Sequence, residues 1–432
     1  MSSTKEKACI CFLNRTAFLK IIYTNDDMME VLRMHGKINR IIFFEGDIET
    51  TGYFSRQMEK TFLKEGYQTY FFDYEKAAKS ASGLLRFIKR GETAVVTFNY
   101  HGLCGKNEIV YDEEMGGYIW DTFDIPCINI VVDHPFYYHH FFECLPKRYI
   151  HVSIDRNHDR YMQEYFPDIR RGPFLPLGGT GLYEDGNYPK IADRPMDVVF
   201  VGNYEAPENF NVYIERIDDE YTAFYMGVIN ELKAHPDRLL EDVMKEHILR
   251  EIPEATHEEL KETMGHIIFL DMYIRFFFRG EAVRILAEAG IRVHVFGSGW
   301  EQLVCSAKEN IIVGGSLDSL GCLEKISQGK ISLNVMPWFK DGAHDRIFNS
   351  MLNGAVCVTD SSVYLDEILR DGENAAVYSL DELSRLPVIV RGLLDDPDKM
   401  QRIADSGYHM AKNGHTWADR SKEVIKILES ID

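Results

Sequence analysis

KISLNVMPWFKDGAHDRIFNSMLNGAVCVTD, residues 330–360, reads as two buried strands with a polar loop and a short helix between them. Ile331 to Val335 is the first apolar run, and Gly354 turns the chain into the second, Ala355 to Thr359. Strand, loop, helix and strand in this order form the repeating unit of a parallel α/β sheet. The loop carries Asp341, His344, Asp345 and Arg346, where a strand ends and a helix begins. N–H groups at a helix start are unpaired and partly positive. Open parallel sheets also take ligands beyond the carboxyl ends of their strands. Anion binding is therefore expected here, with Asn334, His344, Arg346 and Asn349 able to hold phosphate, ribose or sugar hydroxyls. Arg346 is one helical turn from Asn349 and Ser350, so the three share a face. A capped loop over a core of Phe348, Met351 and Leu352 would be the plainer explanation. The convergence of polar groups between two apolar strands favours a site.

Outward from this unit, INRIIFFEG (38–46), YQTYFFDY (67–74), TAVVTFNY (93–100) and PCINIVVDH (126–134) read as strands. Helical patterns over 51–66 and 76–90 separate the first three, the former with Tyr53, Phe54, Met58, Phe62 and Leu63 on its apolar side. Residues 172–196 are rich in Pro, Gly and Asp and read as a connector. A second series follows: MDVVFVGN (196–203), RVHVFG (292–297), NIIVGG (310–315), ISLNVM (331–336), AVCVTD (355–360) and AAVYSL (375–380). A charged, mainly helical stretch, roughly 206–290, interrupts it, and the tail from Pro397 is helical with a turn near Gly414. Two Rossmann-like α/β halves facing each other across a cleft are the expected architecture.

The chain has 432 residues, more than one hydrophobic core usually serves. Lys and Arg total 48 against 68 Asp and Glu, a formal net charge of −20. That balance argues against coating nucleic acid or an anionic membrane, though not against a local basic pocket. None of the eight cysteines forms a CxxC pair, and Cys9-x-Cys11 is too tight for a structural zinc knuckle. Reduced thiols and a cytoplasmic location are expected. The N-terminus MSSTKEKACICFLNRT lacks the uninterrupted apolar core of a signal peptide, and no run of ~20 apolar residues spans a membrane.

Other segments carry weaker signals. In EGDIETTGYFS (45–55), Gly46 and Gly52 permit turns, Thr50 or Thr51 can cap a helix, and Asp47 or Glu45 can act as a base. VVDHPFYYHHFF (131–142) puts Asp133 and His134 at the end of an apolar strand, where either can transfer a proton. VFVGNYEAP (199–207) and VFGSGWEQL (295–303) are strand-then-glycine turns, with Gly297, Ser298 and Gly299 able to let backbone approach a phosphate. The full G-x-G-x-x-G and P-loop patterns are absent, which counts against NAD and ATP chemistry. In DMYIRFFFRGEAVRIL (271–286), Arg275, Arg279 and Arg284 fall near one helix face, either as a diphosphate grip or as an ordinary ion-paired surface.

DVVFVGN, VHVFGSGW, KISLNVMP, AHDRIFNSMLNGAVCVTD and YLDEILRDGENAAVY, in that order, resemble group-1 glycosyltransferases of the GT-B fold, and among them the spore-maturation-type branch found in bacteria. The resemblance is strong over about 196–430 and looser before it. It implies an N-terminal acceptor-side domain over 1–180, a linker over 181–195, and a nucleotide-sugar domain over 196–415 containing the helical insertion. A C-terminal helix, 416–432, can pack back on the first domain. Gly297, Ser298 and Gly299 match the family's turn near the nucleotide. His344, Arg346 and the Asn349–Gly354 helix match the segment that contacts diphosphate and sugar, and Asp366 with Glu367 match an acidic pair for the ribose. Many retaining relatives carry two glutamates eight positions apart; Asp341 and Asn349 stand there in this chain, and Asn349 supplies no carboxylate.

The implied activity is metal-independent transfer of a sugar from a nucleotide diphosphate, UDP above all, to a hydroxyl of a protein or surface glycan. The nucleotide-sugar is a co-substrate, and no separate cofactor is implied. In an inverting scheme Asp47 and Asp133 are the candidate bases, with His134 behind them. A non-hydrolysing nucleotide-sugar epimerase and a catalytically silent sugar-nucleotide-binding protein use the same fold and stay open. The helical stretch can shape acceptor choice or supply a homodimer contact.

Overall fold

The computed structural model describes residues 37–105, 109–112 and 116–431; Cys9, Cys11 and the N-terminal stretch inspected for a leader lie outside the described residues. The first sheet is built from β1 (Arg40–Glu45), β2 (Gln68–Asp73), β3 (Thr93–Phe98), β4 (Cys127–Val131) and β5 (Tyr149–Ser153). All pairs are parallel, in the order β2-β1-β3-β4-β5. Helices α1 (Glu49–Lys64) and α2 (Ala77–Phe87) make the first crossovers, and α3 (Arg156–Tyr165) follows β5. Strand β5 was not expected, because polar His151 and Ser153 break its apolar run. Both are buried, and His151 Nδ1 lies 3.1 Å from the Tyr149 hydroxyl. A histidine that finds a buried partner reads like a loop residue in sequence and sits in a core strand here.

The second sheet contains β6 (Met196–Val201), β7 (Val293–Phe296), β8 (Ile311–Val313), β9 (Gly329–Asn334), β10 (Val356–Thr359) and β11 (Ala376–Val377). It is parallel throughout, ordered β8-β7-β6-β9-β10-β11. Between β6 and β7 lie α4 (Asp219–Ala234), α5 (Leu240–Glu251), α6 (His257–Met264) and α7 (Ile268–Glu288). Helix α7, the last of this helical insertion, is largely buried. Leu270, Tyr273, Ile274, Phe276, Phe278, Ala282, Val283 and Leu286 are buried around much of its girth, so it belongs to the core. Helices α8 (Ser319–Gln328), α9 (Asp345–Leu352), α10 (Val363–Ile368), α11 (Leu386–Leu394), α12 (Pro397–Lys412) and α13 (Trp417–Glu429) complete the chain.

The carboxyl edges of the two sheets face each other. Glu49, opening α1, accepts hydrogen bonds from Ser319 N (3.1 Å) and Oγ (2.8 Å) at the start of α8. Arg156, opening α3, pairs with Asp341 (3.0 Å) and Glu367 (2.7 Å). The Tyr137 hydroxyl donates to Asp271 Oδ2 on α7 at 2.5 Å. The chain crosses between the sheets a second time near its end, and α13 packs on α1. Trp417 lies 4.5 Å from the Phe54 ring and 5.8 Å from Phe98, and Ser421 Oγ donates to Met58 O. The two crossings touch: Gly179 N donates to His415 O (2.8 Å) and Trp417 N to Gly179 O (3.3 Å). Among the described residues no helix is long and apolar enough to cross a membrane.

Candidate active site

Strand order in the second sheet reverses between β6 and β9, which opens a crevice at their carboxyl ends. Gly202 and Asn203 follow β6 on one side, and Asn334 closes β9 on the other. Arg346, in the first turn of α9, reaches into this crevice. Its side chain is 6% exposed, Nη1 donates to Asn334 Oδ1 at 2.7 Å, and the guanidinium lies 5.2 Å from the Phe200 ring centre. Asn334 is fixed in turn by its Nδ2, which donates to Thr359 Oγ1 at 2.9 Å.

A second arginine comes from α7. Arg279 is 7% exposed, donates from Nη1 to Asn203 O at 2.9 Å, and lies 4.9 Å from the Trp338 ring, while its Nε is buried without a partner. Arg275, one turn earlier, sits over the same ring at 4.2 Å but is paired with Asp271 at 2.8 Å. Arg284 points elsewhere and is held by Glu281 and Glu288. Neither Arg279 nor Arg346 has a carboxylate at ion-pair distance among the described residues. Burial lowers the pKa of Arg346, and burial followed by the neighbouring Arg346 charge drives that of Arg279 well down. Two buried guanidiniums that form no direct ion pair are costly, and a bound anion would offset that cost. The signal for Arg279 was in the sequence: an arginine on a helix that is apolar almost all round must face something.

The glycine turns are laced together behind this crevice. Gly202 N donates to Phe296 O (2.7 Å), Tyr204 N to Ser298 O (2.9 Å), and Ser298 N to Asn203 Oδ1 (3.0 Å). Gly299 has φ +86°, and a Cβ there would lie 2.0 Å from Tyr204 O. Gly297 to Gly299 thus bring two loops into contact and fix the Asn203 carbonyl that Arg279 uses.

His344 caps α9, with Nδ1 3.1 Å from Arg346 N and 2.7 Å from Asp345 Oδ1. Burial pushes its pKa to about 4, so the ring is neutral near pH 7. Asn349 is not brought to the crevice. Its Oδ1 accepts from Thr180 N and its Nδ2 donates to Asp345 Oδ2, both at 2.8 Å, so it fastens the connector to α9. Asn349→Asp keeps the first bond and sets two carboxylates face to face. A loss of about 1–3 kcal/mol by urea denaturation is expected, recovered in part by adding Asp345→Asn; unchanged stability would refute this role. Glu367 is taken by Arg156, and Asp366 accepts from Ser361 Oγ at 2.5 Å.

On the opposite wall, Asp47 follows β1 with an exposed carboxylate. Asp133 follows β4, where its Oδ2 accepts from Asn99 Nδ2 (2.9 Å) and from the Tyr138 hydroxyl (3.0 Å). Asn99 and Tyr100 both take left-handed backbone, φ 43° and 66°, a strain that builds this corner. His134 lines a small pocket with Glu241, Arg275 and Trp338, its Nε2 3.5 Å from Glu241 Oε1. Its ring lies 4.0 Å from that of Phe136 and 4.8 Å from that of Tyr161, Nδ1 accepts from Phe136 N, and burial holds the pKa at about 3. Asp360, overlooked in sequence, ends β10 with Oδ1 accepting from Met336 N, and burial raises its pKa to about 7. It lines an open cavity of about 850 Å³ with Lys340, Asp341, Ser361, Tyr378 and Asp381. Among the described residues no group of three or more His, Cys, Asp or Glu is placed to hold a metal ion.

Residues 279–426 match the family described as Glycosyl transferase-like, a span that opens on Arg279 and includes Arg346. No curated protein sequence matches the chain. A solved glycosyltransferase from Rickettsia africae ESF-5 is similar in fold, with a TM-score of 0.50 at 8% identity, over 91% of this chain and 98% of that one. Sucrose-phosphate synthase from Thermosynechococcus elongatus gives 0.49 at 9% identity over 90% and 98% of the two chains. Anabaena HepE, solved in complex with UDP-glucose, gives 0.48 at 10% identity over 91% and 100%. The fold is GT-B: two parallel α/β domains with their carboxyl edges facing across a cleft.

Proposed function

We propose that this chain is a glycosyltransferase that moves a sugar from a nucleotide diphosphate, UDP in the first instance, to a hydroxyl acceptor. The observation that supports the reading is the pair Arg279 and Arg346, two buried cations with no carboxylate at ion-pair distance among the described residues, at the strand-order reversal of the second sheet. A diphosphate supplies the missing charge. As the bond from the anomeric carbon to the diphosphate oxygen breaks, negative charge grows on that oxygen, and the guanidiniums with the first N–H groups of α9 stabilise it. The charge stabilisation is thus assigned to arginine rather than to a metal ion. The acceptor enters from the first domain, where Asp47 and Asp133 are the carboxylates available to take its proton. Closure of the cleft would exclude competing water.

Within this class, the order of sequence motifs favours the spore-maturation-type branch. Cys127, Cys144, Cys305, Cys322 and Cys357 are free thiols, which suits a cytoplasmic protein. The test is a thermal-shift screen against UDP-, GDP-, TDP- and CMP-sugars, since a ligand that binds the folded state stabilises it by mass action. One nucleotide class should raise the melting temperature and lose that effect in Arg346→Met; no shift with any of them sinks the reading. Incubation of the binding sugar nucleotide without acceptor then separates the outcomes, because an epimerase returns a new sugar nucleotide and a silent binder returns the original.

A further inference from the structure

Asp271, Arg275 and Arg279 recur at every fourth position of α7 and form one row along the helix. One end of that row meets the first domain. Tyr137, in the 3₁₀ helix Pro135–Phe141 that follows β4, donates its hydroxyl to Asp271 Oδ2 at 2.5 Å. The same oxygen accepts from Arg275 Nη2 at 2.8 Å, so phenol and guanidinium converge on it. Burial raises the Tyr137 pKa well above its ordinary value, which keeps the phenol a donor. The other end of the row meets the crevice of the second sheet, where Arg279 holds the Asn203 carbonyl. One ring lies under both arginines. Trp338 has the Arg275 guanidinium 4.2 Å and the Arg279 guanidinium 4.9 Å from its centre.

Two cations on one indole repel each other unless one of them is neutralised. Asp271 neutralises Arg275, and that leaves Arg279 as a ring-held charge with its Nε buried and unpartnered. Arg279 and Arg346 together then match the two ionised oxygens of a nucleotide diphosphate sugar. We propose, resting on the nucleotide-sugar reading, that Tyr137 and Trp338 are positioning residues that couple closure of the cleft to the grip on the diphosphate. Closure brings the Tyr137 phenol to Asp271, Asp271 fixes Arg275 on the indole, and the indole sets Arg279 against the diphosphate. Both residues act through Arg279.

Each link has a physical basis. A carboxylate that loses its phenol donor is free to rotate about its last bond, and Arg275 follows it off the ring. Asp271 and Arg279 are buried and Arg275 nearly so, and charges held there are screened little. A guanidinium over an indole is held more firmly in such a desolvated place than in water. Opening of the cleft withdraws Tyr137, admits water to the Asp271–Arg275 pair and loosens the hold on Arg279. An open molecule therefore binds the nucleotide sugar weakly, and a closed one meets it with a fixed pair of charges. By linkage the dependence runs both ways, so the nucleotide sugar favours closure as much as closure favours the nucleotide sugar.

The experiment measures the affinity of the full chain for UDP-glucose by calorimetry in a double-mutant cycle. Tyr137→Phe removes one hydroxyl, keeps the ring, and should weaken binding about tenfold. Trp338→Leu should weaken it about tenfold as well, and Trp338→Phe, which keeps an aromatic face, should restore most of the loss. In the Trp338→Leu background, Tyr137→Phe should change the dissociation constant by less than about twofold, because its route is gone. Urea denaturation checks that each variant is folded; if Trp338→Leu is not, Arg279→Lys serves as the second background. No loss in Tyr137→Phe, an equal loss in both backgrounds, or Trp338→Phe as weak as Trp338→Leu overturns the proposal with the nucleotide-sugar reading left standing. A wild-type chain that does not bind UDP-glucose counts against both.

Discussion

Replacing Arg346 with methionine should stabilise the unliganded protein, erase the thermal shift given by its sugar nucleotide, and lower turnover roughly a hundred- to a thousandfold. The gain in stability follows from burial. A guanidinium removed from water without an ionic partner costs several kcal/mol, whereas leaving the Asn334 oxygen without its donor costs about 1–3 kcal/mol. The charge penalty is the larger, so the apolar isostere wins in the empty protein. The loss of activity follows from the same charge, because it is what a diphosphate meets. Arg346→Lys separates charge from geometry: it should bind donor weakly while recovering little turnover, since a single ammonium cannot keep the planar bond to Asn334. Calorimetry on the three proteins with and without UDP-glucose checks the sign. A destabilised Arg346→Met that still responds to donor would mean that Arg346 is a structural residue.

Gly299→Ala should cost more than about 3 kcal/mol, with Gly315→Ala as its measure. Both glycines are left-handed, φ +86° and +76°, so alanine pays a backbone penalty of about 1–2 kcal/mol at either. The difference is what lies beyond. A Cβ at 299 would sit 2.0 Å from Tyr204 O, while one at 315 meets nothing within 4 Å. Tyr204 cannot retreat freely, because its ring stacks on Trp300 at 5.1 Å and Trp300 Nε1 donates to Gly202 O at 2.8 Å. The clash therefore reaches the Asn203 carbonyl that orients Arg279, and donor affinity should fall with stability. Equal losses at the two positions in urea denaturation would show that close packing is not the reason.

How legible the protein was depends on the kind of residue. Apolar runs such as RIIFFE, TAVVTF and CINIV are strands buried on both faces, and a parallel sheet demands that pattern. The stretch YIHVS hides the same role behind a histidine and a serine that are both buried, the histidine beside the Tyr149 hydroxyl of its own strand. Arg346 was readable because it sits at a helix start between two such runs. Arg279 was harder, since its row on α7 also contains Arg284, which is an ordinary surface ion pair, and only packing tells them apart. Asn349 was placed among ligand contacts on its helix position alone, and the structure spends both ends of its amide on the connector and Asp345. His101 Nδ1, after β3, lies 3.6 Å from Asp47 Oδ2, after β1, and nothing in their spacing announces that approach.

The paired crossings near Gly179 and Thr416 bear on how substrates enter and leave. One connection between two domains acts as a swivel and lets either wall turn over the other. Two connections lying side by side and bonded to each other behave as a flat strip, which bends easily about one axis and resists torsion. The cleft can then gape like a book on its spine and close with its two walls in the same alignment. Exchange of substrate and accuracy of registration, which compete in a freely jointed molecule, are reconciled here by the doubled strip at 178–180 and 415–417.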